Sequence, residues 1–428
     1  MSQQAGESRR HRSWPSPLAL AVLMLTASAL IANPCEASGW TATWGAAPLP
    51  PGPAVGPFPA TPTFSNQTIR QVVRISAGGD RIRIRFTNEY GTKPLLIGAA
   101  RVALADAKGN IQAGTERPIL FGGKRSALIP VASPYLSDAL EFPVKALTQL
   151  SVSIYLPGDT GQCTCHEVGM QTAYVSDAGN FVSGGFTPRQ TVSVRAFISG
   201  IEVQAKRPTH AIVVLGDSIS DGVGSTPDAN RRWPDVLAER LAARKGDTDW
   251  GVVNMGISGN RMLSDGAGQS ALARFDRDVL SVPGAVAVVV FEGVNDLGIG
   301  LGEFKGPMAD LFKTLVPEHK PDAESMIAAY RQLIDRAHAK GLRIFGATIV
   351  PYQGADYYSS AGEAVRQQIN AWIRNGHAFD AVLDFDAVLR DPAQPTQMAD
   401  PLQSGDHLHG SDKGYEAIAR SIDLALFR

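Results

Sequence analysis

Ser218, Asp406 and His409 are residue types that acyl transfer requires. Ser218 stands in Leu215-Gly216-Asp217-Ser218-Ile219-Ser220-Asp221-Gly222, and the other two in Asp406-His407-Leu408-His409. A serine hydroxyl becomes a useful nucleophile beside a base, and the base needs a third group to hold its tautomer. Residues three apart share a face of a helical or turn-like step. Asp406 can therefore accept from one ring nitrogen of His409 while the other takes the proton of Ser218. The charge that builds on a substrate carbonyl oxygen needs donors. Candidates are the backbone N–H groups of Ser218 and Gly256 and the side-chain amide of Asn295. A glycine at 256 would suit a close substrate approach, where a Cβ would intrude.

Other readings of the same residues are weaker. A lone Gly-Asp-Ser is a common turn. His407 and His409 with Asp406 could share an ion, but no further ligand stands near in sequence, and the serine would go unexplained. No metal is therefore expected. The nucleophile elbow of α/β-hydrolases wants glycine two residues after the serine, where this chain has Ser220. Asp217 and Asp296 read as braces of their turns.

Four blocks occur in order: Gly216-Asp217-Ser218, Asn254-x-Gly256, Gly293-x-Asn295-Asp296 and Asp406-x-x-His409. Together they resemble the SGNH (GDSL) hydrolase superfamily, whose name lists the serine, glycine, asparagine and histidine matched here by Ser218, Gly256, Asn295 and His409. The resemblance covers residues 210–425. It implies a flavodoxin-like three-layer α/β domain, no metal or organic cofactor, and ester substrates from acetylated sugars to lysophospholipids and aryl esters. Many members have proline after the histidine, where this chain has Gly410, so a slightly more mobile base is expected. Trp40-Thr41-Ala42-Thr43-Trp44-Gly45 and Ile69-Arg70-Gln71 also look like the amino-terminal β extension of one bacterial branch.

The elements that must position these residues fall into two regions. From 210 onward, short apolar runs at 211–215, 286–291, 343–350 and 382–385 alternate with helix-like stretches at 234–244, 362–374 and 413–426. Another helix begins with Asp322 as cap, carries Ile327, Leu333, Ile334 and Ala337 as its stripe, and ends at Gly341. Such alternation predicts a parallel sheet covered on both faces. Ligands of such sheets gather at the carboxyl ends of strands, and the four blocks fall there. Residues 39–205 read as a β-sandwich-like domain of short strands with frequent turns. Residues 69–76 and 81–88 alternate around Ala77-Gly78-Gly79-Asp80, a hairpin pattern. The change comes near Ala205-Lys206-Arg207-Pro208, so the α/β domain is expected over 206–428.

Residues 1–38 have the layout of a cleaved secretory signal. Arg9, Arg10 and Arg12 precede an apolar run at 18–32, and small residues stand at Ala37 and Ser38. That run falls short of the roughly 20 residues that span a bilayer. A secreted or periplasmic protein without a stable membrane anchor is expected. Cys35 would leave with the signal. Cys163 and Cys165 can be bridged or free. The chain has 428 residues, 44% hydrophobic, with 40 Lys+Arg against 41 Asp+Glu. That length supports two domains, and the balance gives no basic patch for nucleic acid.

The expected activity is hydrolysis of short-chain or acetyl esters, with a polysaccharide or a small molecule as substrate. A lysophospholipase or acyltransferase, and a non-catalytic carbohydrate-binding protein, are the alternatives. Tyr352, Tyr357 and Tyr358 follow the run ending at Val350 and are candidates to line the substrate site. Residues 297–321, with Gly298, Gly300 and Gly302, read as a movable loop over the cleft.

Overall fold

The computed structural model describes residues 39–54, 59–106 and 109–428, and Ser2. The expected signal segment with Cys35 lies outside the described residues, Ser2 apart. Among the described residues, no helix is long and apolar enough to cross a membrane.

The carboxyl-terminal region is a parallel sheet. Its strands are Thr209–Gly216, Asp249–Gly256, Ala285–Phe291, Arg343–Ala347 and Ala381–Leu383. In space Thr209–Gly216 lies between Asp249–Gly256 and Ala285–Phe291, and the other two follow outward. Every neighbouring pair runs parallel. Ala211 to Leu215 and Ala287 to Val290 are buried throughout, as strands covered on both faces require. The helices Trp233–Ala243, Ala323–Ala339, Ser360–Asn375 and Asp412–Ser421 pack on this sheet through one hydrophobic cluster. Asp322 caps the second of these: its carboxylate accepts from Ser325 N, a capping box. Strand order reverses on either side of Thr209–Gly216, which makes its carboxyl end the switch point where ligands bind in such sheets.

Residues 41–204 build antiparallel sheets around a second cluster. One sheet places Thr41–Gly45 beside Ile198–Gln204, then Gly79–Asn88, which pairs with both Ser133–Leu136 and Leu140–Val144. The other has the order Gln190–Val192, Ala173–Ala178, Gln67–Arg74, Gln149–Leu156, Ala99–Leu104, Arg117–Ile119. This is the sandwich-like arrangement expected. The expected hairpin is not formed. Gln67–Arg74 and Gly79–Asn88 lie in different sheets, and the turn between them is a corner. Alternation marks a strand with a buried face, but it does not say which neighbour the strand takes. Here Ser76 and Ala77 are tied to Thr43 instead, through Ser76 N to Thr43 O at 2.9 Å and Ala77 N to Thr43 Oγ1 at 2.6 Å.

The two regions share one compact unit, Ser38–Arg428. Thr41–Gly45 rests against the parallel sheet: Ala42 N donates to Pro283 O at 2.9 Å and Val252 N to Ser76 Oγ at 2.8 Å. Cys163 and Cys165 form a disulfide, with Cα atoms 5.3 Å apart. This resolves the alternative left open by their spacing.

Candidate active site

Ser218 begins the short helix Ser218–Asp221 at the carboxyl end of Thr209–Gly216. The turn is held by Asp217, whose Oδ1 accepts from Ile219 N at 2.9 Å. Far along the chain, the loop before Asp412–Ser421 brings His409 to it: Nε2 lies 2.7 Å from Ser218 Oγ and Nδ1 lies 2.6 Å from Asp406 Oδ2. Asp406 Oδ1 also accepts from the N–H groups of Leu408 and His409, at 3.0 and 2.9 Å. Burial alone would raise the Asp406 carboxyl. The hydrogen bond and charge of His409 and these N–H groups outweigh it and hold the carboxyl well below the usual carboxylate range. An ionised Asp406 keeps the proton of a neutral His409 on Nδ1, and Nε2 then faces the Ser218 hydroxyl as an acceptor. The loop around them is braced, with Ser404 N donating to His409 O at 2.9 Å and Gly405 N to Gln403 Oε1 at 2.6 Å. Gly410 is buried in it.

The donors differ in part from expectation. Asn295 is buried beside the site. Its Nδ2 donates to Asn260 O at 3.0 Å, and its Oδ1 accepts from the Tyr357 hydroxyl at 3.0 Å. The amide is therefore oriented, and Nδ2 carries a second hydrogen. Gly256 is not suited to the role expected of it. It ends the strand Asp249–Gly256, and its N–H donates to Asn254 Oδ1 at 3.0 Å. Glycine is needed there because a Cβ would sit 2.6 Å from Asp221 N, against the Ser218 turn, so the space is taken by protein. A second glycine, Gly259, follows three residues later. It is the third residue of a turn closed by Asn260 N donating to Ile257 O at 3.0 Å, with φ +79, the position of a type II turn that favours glycine. Its neighbour Asn260 is the residue that holds Asn295. Both glycines follow the same apolar run, and only the point where the strand ends separates them.

The sequence reading also passed over the buried charges under the site. The Arg274 guanidinium, fully buried, donates to Gly216 O at 3.0 Å, Met255 O at 2.6 Å and Asn260 Oδ1 at 2.9 Å. It pairs with Asp278 at 3.1 Å and Glu292 at 3.2 Å. One cation thus ties together the ends of the strands that carry Ser218 and the Gly259 turn. Burial, with neighbouring Asp217, pushes the Glu292 carboxyl well up, and its Oε2 has no hydrogen-bond partner. Burial likewise raises Asp296 to about 6, although Met262 N and Leu263 N both donate to it. A glutamate after an apolar strand was the one visible signal of this cluster.

The tyrosines correct the expected substrate wall. Tyr352 and Tyr357 are 0% and 3% exposed, with ring centroids 5.9 Å apart, so they have no face left to stack on a sugar. They are drawn inward because each large ring fills the core, where the Tyr357 hydroxyl also bonds Asn295. Tyr358 is half-buried, its ring 5.3 Å from Tyr352. The supposed loop at 297–321 is partly helical, in Val294–Leu301 and Ala309–Thr314. Its Gly298 permits close packing, since a Cβ there would lie 2.3 Å from the Tyr357 ring. Among the described residues, no group of three or more His, Cys, Asp or Glu is arranged to hold a metal ion.

Comparison with known proteins bears on this region. No curated protein matches the chain. Among solved structures it is similar to a GDSL-like lipase from Bacteroides thetaiotaomicron, at 16% identity over 50% of this chain and 87% of that one, with a TM-score of 0.36. A lipase/acylhydrolase from Enterococcus faecalis is 18% identical over 50% of this chain and 92% of that one, TM-score 0.36. A psychrotrophic esterase from Pseudoalteromonas sp. is 19% identical over 50% and 93%, TM-score 0.34. Residues 214–417 match the GDSL-like Lipase/Acylhydrolase family. That span begins on the strand leading into Ser218 and ends beyond His409, so the match to the GDSL-like Lipase/Acylhydrolase family covers the α/β region that holds the site.

Proposed function

We propose that this protein is an exported serine esterase that cleaves carboxylic esters through an acyl-enzyme on Ser218. The observation that carries the proposal is the unbroken hydrogen-bonded line from Asp406 through His409 to Ser218. In this reading His409 Nε2 takes the Ser218 proton as Oγ attacks the ester carbonyl. The oxyanion receives hydrogen bonds from Ser218 N–H, Gly259 N–H and the second hydrogen of Asn295 Nδ2. As the tetrahedral intermediate collapses, His409 returns the proton to the leaving alcohol. Water, activated by the same imidazole, then releases the acid. Asp406 stays ionised and steadies the imidazolium.

The substrate in this proposal is a short-acyl ester, with an acetylated carbohydrate as natural target and Tyr358 at its edge. Tyr357 supports the short acyl group, because its buried ring, bonded to Asn295, takes up space beside that residue. The test is turnover of aryl esters of increasing acyl length by the wild type and by Ser218→Ala. We expect the variant to lose nearly all activity, with roughly a thousandfold or greater fall in kcat, and the wild type to prefer acetyl. Undiminished turnover by the variant would refute the mechanism. A preference for long acyl chains would replace the substrate with a lipid.

A further inference from the structure

We infer that His166, which lies in the β-rich region outside the hydrolase domain, is a positioning residue for ester hydrolysis and acts through Asp221. This rests on the reading of Ser218 as nucleophile. His166 belongs to the short strand Cys165–His166, which pairs with Arg195–Ala196. It is 5% exposed. Its Nδ1 lies 3.1 Å from Ala47 O and its Nε2 lies 2.8 Å from Asp221 Oδ1.

A carbonyl oxygen can only accept, so Nδ1 carries a hydrogen. A neutral ring would then turn the bare Nε2 lone pair toward a carboxylate oxygen. The contact is favourable only when a proton sits between the two atoms. The pair is therefore a buried imidazolium and carboxylate, and removing either partner strands the other away from water. The two nitrogens make His166 a tie with two fixed ends. One end holds the entry segment of the β region, and the other holds the hydrolase domain.

Asp221 distributes that tie. It is the last residue of the helix Ser218–Asp221, and its N–H donates to Asp217 O at 2.9 Å. Its second carboxylate oxygen, Oδ2, accepts from Ser258 N at 3.0 Å and Ser258 Oγ at 2.8 Å. Ser258 immediately precedes Gly259. One carboxylate thus sets the Ser218 turn against the Gly259 turn, and His166 sets the carboxylate. Attack and oxyanion capture need these two turns in register, and a displacement of about 1 Å can cost on the order of a hundredfold in rate. The family match begins at residue 214, so this contact is supplied by a part of the chain outside it. The β region, on this view, completes the catalytic geometry.

The test compares His166→Ala, His166→Gln and His166→Asn on an aryl acetate, with unfolding midpoints measured alongside. A glutamine amide reaches the place of Nε2 and can still donate to Asp221. An asparagine amide reaches only the place of Nδ1 and keeps Ala47 alone. We expect His166→Ala to lower kcat by roughly ten- to a hundredfold, with KM within about twofold because His166 touches no substrate. Glutamine should restore most of kcat and asparagine should not. Wild-type kcat in His166→Ala, or equal rates for Gln and Asn, would overturn the inference. If the alanine variant fails to fold, the Gln and Asn pair decides alone. Ser218→Ala is assayed in the same series. If it stays active, the reading of Ser218 has failed, whatever the His166 variants do.

Discussion

Glu292 carries an unbalanced polar demand under the site. It is fully buried, has one oxygen on Arg274 and leaves the other without a partner. Burial raises its carboxyl, as it raises Asp296 to about 6. The sign of the consequence follows from linkage. A carboxyl whose folded value lies above its unfolded one binds its proton more tightly when folded. Its stabilising contribution is full in acid and is lost as pH rises through the folded value. Glu292→Gln removes that titration. We expect the variant and the wild type to melt together near about pH 5, and the variant to melt a few degrees higher near about pH 8. A variant whose midpoint tracks the wild type across that range would show that folding does not raise the Glu292 carboxyl. At this scale the hydrogen-bonded alignment of Asp406, His409 and Ser218 was legible in the sequence, because Asp406 and His409 are near neighbours and Ser218 sits in a distinctive turn. Arg274, Glu292 and the bond from Tyr357 to Asn295 were not, because each partner comes from a different element.

At the scale of elements, the turn that follows Asp249–Gly256 carries an oxyanion donor of the proposed mechanism. Gly259 has φ +79, and a Cβ there would meet the Ala267 methyl at 3.1 Å. An alanine would cost about 1 kcal/mol in backbone strain and shift the N–H to which the proposed mechanism gives the oxyanion. We expect Gly259→Ala to reduce kcat on aryl acetate by roughly tenfold or more, with a drop of a few degrees in melting temperature. Gly256→Ala should behave differently. Its Cβ would strike the backbone at Asp221, so the main loss should be in folded protein. Equal kcat for Gly259→Ala and wild type would return the oxyanion role to another donor. The helices and parallel strands were readable because their apolar periods are local. The strand pairing of 67–74 and 79–88 was not, since alternation is satisfied by any sheet that covers one face.

Over the whole molecule, the β-rich region and the hydrolase domain are joined through polar contacts that water cannot replace. Ser76 is one: its Oγ accepts from Val252 N at 2.8 Å across the junction while donating to Thr43 O within the β-rich region. Removing a buried partner of this kind costs about 1–3 kcal/mol. Ser76→Ala should therefore lower the melting temperature by several degrees while leaving kcat of the folded fraction close to wild type. Loss of activity and loss of β structure should occur in one transition on heating. Two separate transitions would mean that the regions fold independently.

The sequence by itself pointed to Ser218, Asp406 and His409, which the structure brings together, to the GDSL-like family matched over residues 214–417, and to the order of a β-rich region before an α/β domain. These are carried by short motifs and by periodicities within single elements, where neighbours in the chain are neighbours in space. Only the tertiary structure decided that the Gly256 N–H is taken by Asn254, that Tyr352 and Tyr357 belong to the core, and that His166 reaches Asp221 from 55 residues away. The last two depend on which distant surfaces meet, and burial, not residue type, settles what such a side chain can do.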